Sequence, residues 1–194
     1  MRAPDFGAAL LLGGALLFSF AGGRYAWGAW QANEARQQYE AGQAVSLVRA
    51  ARASLDRGLP GDAPFGAPVA RLLIPEIGLD EIVLEGVDDE SLNAGPGHLP
   101  GSPLPGQRGN AVISAHRDRH FARLGELQVG DTVTTEVALR RQAWVVVGRR
   151  VVGARAPALF RTSEPTLTLT TCWPIRYFGP APERLILTAR PLPS

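Results

Sequence analysis

Between about residue 67 and residue 190 the chain alternates short apolar, β-branched runs with turn residues. "ARLLI", "EIVLEG", "NAVISAH", "TVTTEV", "QAWVVVG", "RVVG", "TLTLTT" and "RLILTAR" follow one another at short intervals. Runs of this length and composition, bounded by Gly and Pro, predict strands. Pro75 and Gly78 divide the first two, and "SLNAGPGHLPGSPLPGQRGN" predicts a long loop carrying His98. Only "RHFARLGELQVGD" suggests a helical turn inside this region. Many short strands with almost no helix predict an all-β barrel or sandwich, and no internal repeat is visible.

The N-terminal pattern is different. Phe6 to Gly23 contains no charge and is dominated by Ala, Leu, Gly and Phe. As a helix rising about 1.5 Å per residue it reaches roughly the thickness of a bilayer's hydrocarbon core. Tyr25, Trp27 and Trp30 follow at once, as amphipathic rings do where a helix leaves lipid. A single-pass anchor is therefore expected over residues 1–30. The rival is a cleaved secretory signal ending near "SFAGG", which fits less well because the apolar run is long and only Arg2 precedes it. The tail before the span is five residues, so the bulk of the chain is expected outside the cytoplasm. "QANEARQQYEAGQAVSLVRAARASLDRG" is free of proline and rich in helix formers, and "LPGDAPFGAP" reads as a linker. Residues 31–66 are thus assigned to a membrane-proximal helix and linker, and 67–194 to the folded domain.

Composition narrows the function classes. A chain of 194 residues with 45% hydrophobic positions allows one ordinary core plus an anchor. Its formal net charge of +2, with scattered arginines, is no nucleic-acid footprint. Exported proteins usually pair their cysteines, yet Cys172 is the only one here. Strand alternation in "TLTLTTCWP" sets Leu167 and Leu169 on the core side, with Thr166, Thr168, Thr170 and Cys172 on the other. A buried inert thiol is expected among apolar positions, so Cys172 is a candidate for chemistry, its alternatives being a buried inert thiol, a cross-link to another chain or a nucleophile.

Two further side chains stand at strand ends: His116 closes "NAVISAH" and Arg184 opens "RLILTAR". Acyl transfer by a thiol needs a base and a cation or donors for the developing oxyanion, roles that Cys, His and Arg can fill. Bland readings compete: a satisfied histidine closing a strand, or Arg184 in a surface ion pair with Glu183. The spacing of His116 and His120 would also fit a metal site with Cys172 as third ligand, a disfavoured alternative. Asp118 and His120 are expected to orient the loop around His116, and His98 to be structural. Asp80, Glu81, Asp88, Asp89 and Glu90 lack a calcium-loop spacing and read as a solvated face. No metal and no cofactor are expected.

"NAVISAHRD", "LTLTTCWP" and "ERLILTAR" together resemble the sortase family of cysteine transpeptidases. The resemblance runs from about Ala70 to Ala189, with "HRDRHF" and "LGELQVGD" most like the Gram-negative branch and class D next. It implies an eight-stranded sortase-type β-barrel with short helices, preceded by the transmembrane helix. It implies that Cys172 attacks the Thr–Gly bond of an LPxTG-like sorting signal to form a thioacyl enzyme, that His116 acts as general acid and base, and that Arg184 holds substrate and stabilises the oxyanion. Thr171 matches the family's threonine that assists the site. The implied partners are an exported protein with a C-terminal LPxTG-like signal and an amine acceptor in the cell envelope. The implied location is membrane-bound with an extracytoplasmic catalytic domain, at the periplasmic face of the inner membrane if the source is Gram-negative.

Two positions depart from the family pattern: Ala115 stands where glycine commonly precedes the histidine, and Arg117 where several classes have threonine. "RRVVGARAPALFRTSEP" corresponds to a loop that often shapes sortase specificity. The order His116 before Cys172 argues against papain-like peptidases, and the compact motif of an L,D-transpeptidase is absent. Two non-catalytic readings stay open: a membrane-tethered β-barrel that binds exported proteins, and a thiol-linked structural protein.

Overall fold

The computed structural model describes residues 6–40, 63–138, 140–156 and 160–193. The N-terminal part is one helix, α1 (Phe6–Glu40), which carries the apolar run and continues past Trp30. Most side chains of the apolar half lie outside the described residues, and among the described residues no helix is long and apolar enough to cross a membrane. The remainder of the expected membrane-proximal helix and most of the linker also lie outside them.

Eight strands form a closed barrel: β1 (Pro68–Ile74), β2 (Leu79–Glu85), β3 (Gly97–His98), β4 (Asn110–Ser114), β5 (Thr132–Val137), β6 (Arg140–Gly153), β7 (Thr166–Trp173) and β8 (Glu183–Pro191). Around the barrel they run β1-β2-β3-β4-β7-β8-β6-β5, and β5 closes onto β1. The β2–β3 and β4–β7 pairs are parallel and the others antiparallel.

Alternation decides what fills the barrel. Ala111, Ile113 and Ala115 from the β4 side meet Leu167 and Leu169 of β7 and Leu185, Leu187 and Ala189 of β8 in one apolar core, with Trp144 and Phe121 also fully buried there. The Trp144 indole N–H donates to Thr135 Oγ1 at 2.8 Å, which satisfies the one polar atom that ring brings inside.

The sequence signals at Pro75 and Gly78 have a direct structural reason. Pro75 opens a single 3-10 turn, Pro75–Ile77, where its missing N–H is not needed. Gly78 ends that turn in the left-handed region at φ 65°, so β2 can start antiparallel to β1.

Three expectations are corrected. The supposed long loop after β2 holds a short helix, α2 (Asp89–Ala94), and then β3. Periodicity missed α2 because six residues barely exceed one turn, but its cap was readable: Asp88 accepts from the N–H groups of Glu90 and Ser91. β3 has no apolar run at all. Its Gly97 lies so close to β2 that a Cβ there would run into the Gly86 carbonyl oxygen. Second, "QAWVVVG" and "RVVG" belong to one strand, β6, with a register shift against β8 between Val146 and Gly148. Third, the acidic residues form more than a solvated face: Arg71 grips Asp80 through two 2.7 Å bonds, and Asp88 caps α2.

His98 is fully buried, with Nδ1 2.7 Å from Glu85 Oε2 and Nε2 2.9 Å from Ser102 Oγ. Ser102 Oγ donates to the Leu99 carbonyl and accepts from the Val112 N–H. This buried network ties the Pro/Gly-rich loop to β2 and β4.

The described half of α1 packs on the domain through one face. Ala35 rests on Ile82, Leu84 and Ala94, Gly28 is buried against the Asn93 carbonyl, and Arg36 donates to the Asp80 carbonyl. Gln31 reaches Glu90 at 3.4 Å, and the Arg119 guanidinium lies 4.9 Å over the Tyr25 ring.

Candidate active site

Residues 167, 169 and 171 of β7 point into the barrel, so Thr166, Thr168, Thr170 and Cys172 lie on its outer face. Those threonines are nonetheless buried, and Thr168 Oγ1 donates to Asn110 Oδ1 at 2.8 Å. Cys172 alone of this outer row is exposed. The row is thus a covered floor that opens to solvent at the thiol.

Arg184 enters from β8. It stands directly opposite Cys172 in the antiparallel ladder, a relationship that puts two side chains on one face with Cβ atoms about 4.5–5.5 Å apart. Its neighbour Glu183 pairs with Trp173 and so takes the opposite face. Among the described residues no ion pair joins Arg184 to Glu183, and Arg184 is half-buried beside the thiol's strand.

His116 comes from the end of β4. That strand runs parallel to β7 with Ser114 opposite Thr170, and the Ala115 N–H donates to the Thr170 carbonyl. His116 and Cys172 therefore each lie two residues beyond a matched pair, on neighbouring chain segments. Ala115 belongs to the inner core, and His116, half-buried, follows it just past the end of β4. Beyond His116 the chain reverses in a turn whose geometry the backbone fixes: the His116 carbonyl accepts from the N–H groups of Arg119 and Phe121. Phe121, wholly buried, pins this turn into the core.

Thr171 faces inward, is buried, and donates its hydroxyl to the Ala115 carbonyl at 2.7 Å. It ties the residue before the cysteine to the residue before the histidine. Asp118 is exposed, and no side-chain hydrogen bond of it occurs among the described residues. His120 turns toward β2, with Nδ1 3.4 Å from Glu81 Oε1 and a buried Nε2 without a hydrogen-bond partner. Asp118 and His120 line a cavity of about 410 Å³ shared with Tyr25, Gly28, Asn93 and Arg119, at the junction with α1. The structure thus gathers Cys172, Arg184, His116 and Thr171 at one rim and sets His120 on another side of the turn. Among the described residues no group of three or more His, Cys, Asp or Glu side chains is arranged to hold a metal ion.

Two residues to which sequence reasoning gave no role take part in this rim. Arg117 donates to the carbonyls of Pro174, Tyr177 and Gly179, all in the β7–β8 loop. Trp173, next to the thiol, packs inward on the core, with the Arg149 guanidinium 5.4 Å from its ring. The signal for Arg117 was its departure from the family's threonine.

A closed eight-stranded barrel with cysteine, histidine and arginine drawn to one rim defines a sortase-type domain. The family model for the sortase domain matches residues 72–192, and the chain belongs to the sortase family. It is 34% identical over 118 residues to sortase D of Bacillus subtilis (strain 168), a match covering 60% of this chain and 60% of that protein. Among solved structures, a Clostridium perfringens sortase D5 transpeptidase superposes with a TM-score of 0.66 at 21% identity, over 84% of this chain and 96% of that one. Sortase C-1 of Actinomyces oris gives a TM-score of 0.65 at 25% identity, over 76% of this chain and 99% of that one.

Proposed function

We propose that this protein is a membrane-anchored cysteine transpeptidase of the sortase type. In this reading Cys172 attacks the carbonyl carbon of the Thr–Gly bond in an LPxTG-like signal. His116 passes a proton to the departing glycine amine, and a thioester joins the threonine carbonyl to the sulfur. An acceptor amine then gives up a proton to His116 as it displaces the thiolate, forming a new amide. Arg184 supplies the fixed positive charge for the oxyanion in both halves. The observation that carries the reading is the direct pairing of an exposed Cys172 with Arg184 across β7 and β8, beside the parallel strand β4, two residues past whose end lies His116.

The remaining assignments follow the sequence. The uncharged Phe6–Gly23 run would place α1 in the membrane, with the barrel on the extracytoplasmic side. The target would be an exported protein with a C-terminal signal, and the acceptor an amine of the cell envelope. Similarity to a sortase D supports class D, whereas assignment to the Gram-negative branch rests on the "HRDRHF" and "LGELQVGD" segments alone.

The test is intact-mass spectrometry of the full chain in detergent, incubated with a panel of LPxTG-like peptides and an amine acceptor. A thioacyl adduct on Cys172 and an amide product, both absent in Cys172→Ala, are expected. Peptide binding without adduct or turnover, unchanged in Cys172→Ala, would instead make the barrel a binding module.

A further inference from the structure

The loop that joins β7 to β8 runs from Pro174 to Pro182, between the strand that carries Cys172 and the strand that opens with Arg184. Its two ends are the paired residues Trp173 and Glu183, one step beyond the Cys172–Arg184 pair. Whatever path this loop takes, it borders the thiol. Yet little of its own composition holds it: Arg176, Tyr177, Phe178, Gly179 and Pro180 are all exposed, Phe178 completely. A segment with so few buried apolar contacts opens easily unless something else restrains it.

The restraint comes from the residue after His116. Arg117 Nη1 donates to the Pro174 carbonyl at 3.0 Å, and Nη2 donates to the carbonyls of Tyr177 at 3.1 Å and Gly179 at 2.8 Å. Its guanidinium also lies 5.7 Å from the Tyr177 ring centroid. Three carbonyls spread over six residues converge on one planar fork, an arrangement that the single point charge of a lysine does not reproduce. Because Arg117 is bonded in sequence to His116, the loop is referenced to the histidine's own turn.

We propose that Arg117 is a positioning residue that clamps the β7–β8 loop against the His116 turn, so that the loop forms a fixed wall of the groove in which the peptide lies beside Cys172. The groove rests on the transpeptidase reading above; the clamp rests on the hydrogen bonds alone. Arg117 contacts no reacting atom in this account. Its contribution is to peptide binding and selection, not to the chemical step.

The experiment compares the full chain in detergent with Arg117→Ala and Arg117→Lys. Charge-assisted hydrogen bonds are strong enough that losing them should raise trypsin cleavage at the Arg176–Tyr177 bond about tenfold or more, followed by mass spectrometry. The KM for the accepted peptide should rise about tenfold with kcat within about twofold, because uniform binding and not transition-state stabilisation is removed. Alkylation of Cys172 by iodoacetamide should be unchanged, and Arg117→Lys should fail to restore either cleavage resistance or KM. Unchanged cleavage in both variants would overturn the clamp. Faster cleavage with unchanged KM, or a fall in kcat alone, would overturn the wall. If the wild-type chain acylates no peptide, the function falls, while the trypsin comparison still decides the clamp.

Discussion

Cys172 and Arg184 stand directly opposite each other in the β7–β8 ladder, so the thiol and the guanidinium share the outer face of the barrel wall. The ladder therefore sets the spacing of thiol and guanidinium by backbone hydrogen bonds, which in the proposed reaction is the spacing of nucleophile and cation. Arg184→Ala should lower kcat/KM by about 10²–10³-fold, the usual loss when one oxyanion donor is removed. Arg184→Lys keeps the charge but not the fork and should recover only part of it. Steady-state transpeptidation kinetics provide the check, with iodoacetamide alkylation of Cys172 as evidence that the thiol remains accessible.

Thr171 makes its contribution from inside the barrel. Thr171→Val keeps the shape but leaves the Ala115 carbonyl without its 2.7 Å donor, a loss of about 1–3 kcal/mol for a buried polar group. Thr171→Ser keeps the hydroxyl and should retain most of the stability. Urea unfolding of the full chain measures both. A second expectation is a fall in turnover for Thr171→Val, because the same bond joins the cysteine strand to the histidine segment.

Acid should weaken the fold through two aspartates. The hydrogen bonds from Arg71 hold the Asp80 carboxyl below its ordinary value of 3.8, and the Ser91 N–H and hydroxyl do the same for Asp88. A lowered folded pKa means that the stabilisation is present above the unfolded value and is lost as pH falls through the folded one. Melting temperatures should thus be steady near neutrality and decline from about pH 4 downward. Asp80→Asn should flatten that decline. Asp88→Ala should in addition cost about 1 kcal/mol at neutral pH through loss of the α2 cap, whereas Asp88→Asn should preserve the cap.

Gly28 tests the seat of α1. A Cβ at this position would lie 2.8 Å from the Asn93 carbonyl oxygen and 2.6 Å from Arg119 Nη1. The arginine can swing aside, but a backbone carbonyl yields little. Gly28→Val should lift α1 from α2, read as faster amide hydrogen exchange in Asp89–Ala94 and near Tyr25. The barrel strands should keep their protection, since their core is separate from the small Ile82, Leu84 and Ala94 cluster.

Much of this protein was legible before its fold was known. The β-branched runs announced most of the barrel strands because alternation of inside and outside is a local property of extended chain. Pro75 and Gly78 announced the β1–β2 connection because each restricts or frees its own φ. The residues of the rim were readable as types: a lone thiol off the leucine face, a histidine at a strand end and an arginine opening a strand. What stayed hidden is of another kind. β3 exists because Gly97 lets two backbones approach, and the buried His98 network follows from that approach. Arg117 revealed nothing by periodicity, since its carbonyl partners lie some sixty residues away in the chain.

The sequence by itself determined the period of the strands, the apolar N-terminal run and the chemical identity of cysteine, histidine and arginine, because these depend on neighbours a few residues apart. Only the tertiary structure decided that Arg184 faces Cys172, that Thr171 bonds to the histidine's segment and that His120 turns away to Glu81. Those relations are set by strand register and barrel closure. Register is fixed by burying Leu167, Leu169, Leu185 and Leu187 together, and a shift of one residue would move every one of them to the wrong face. The core, not the site residues, therefore brings the site together.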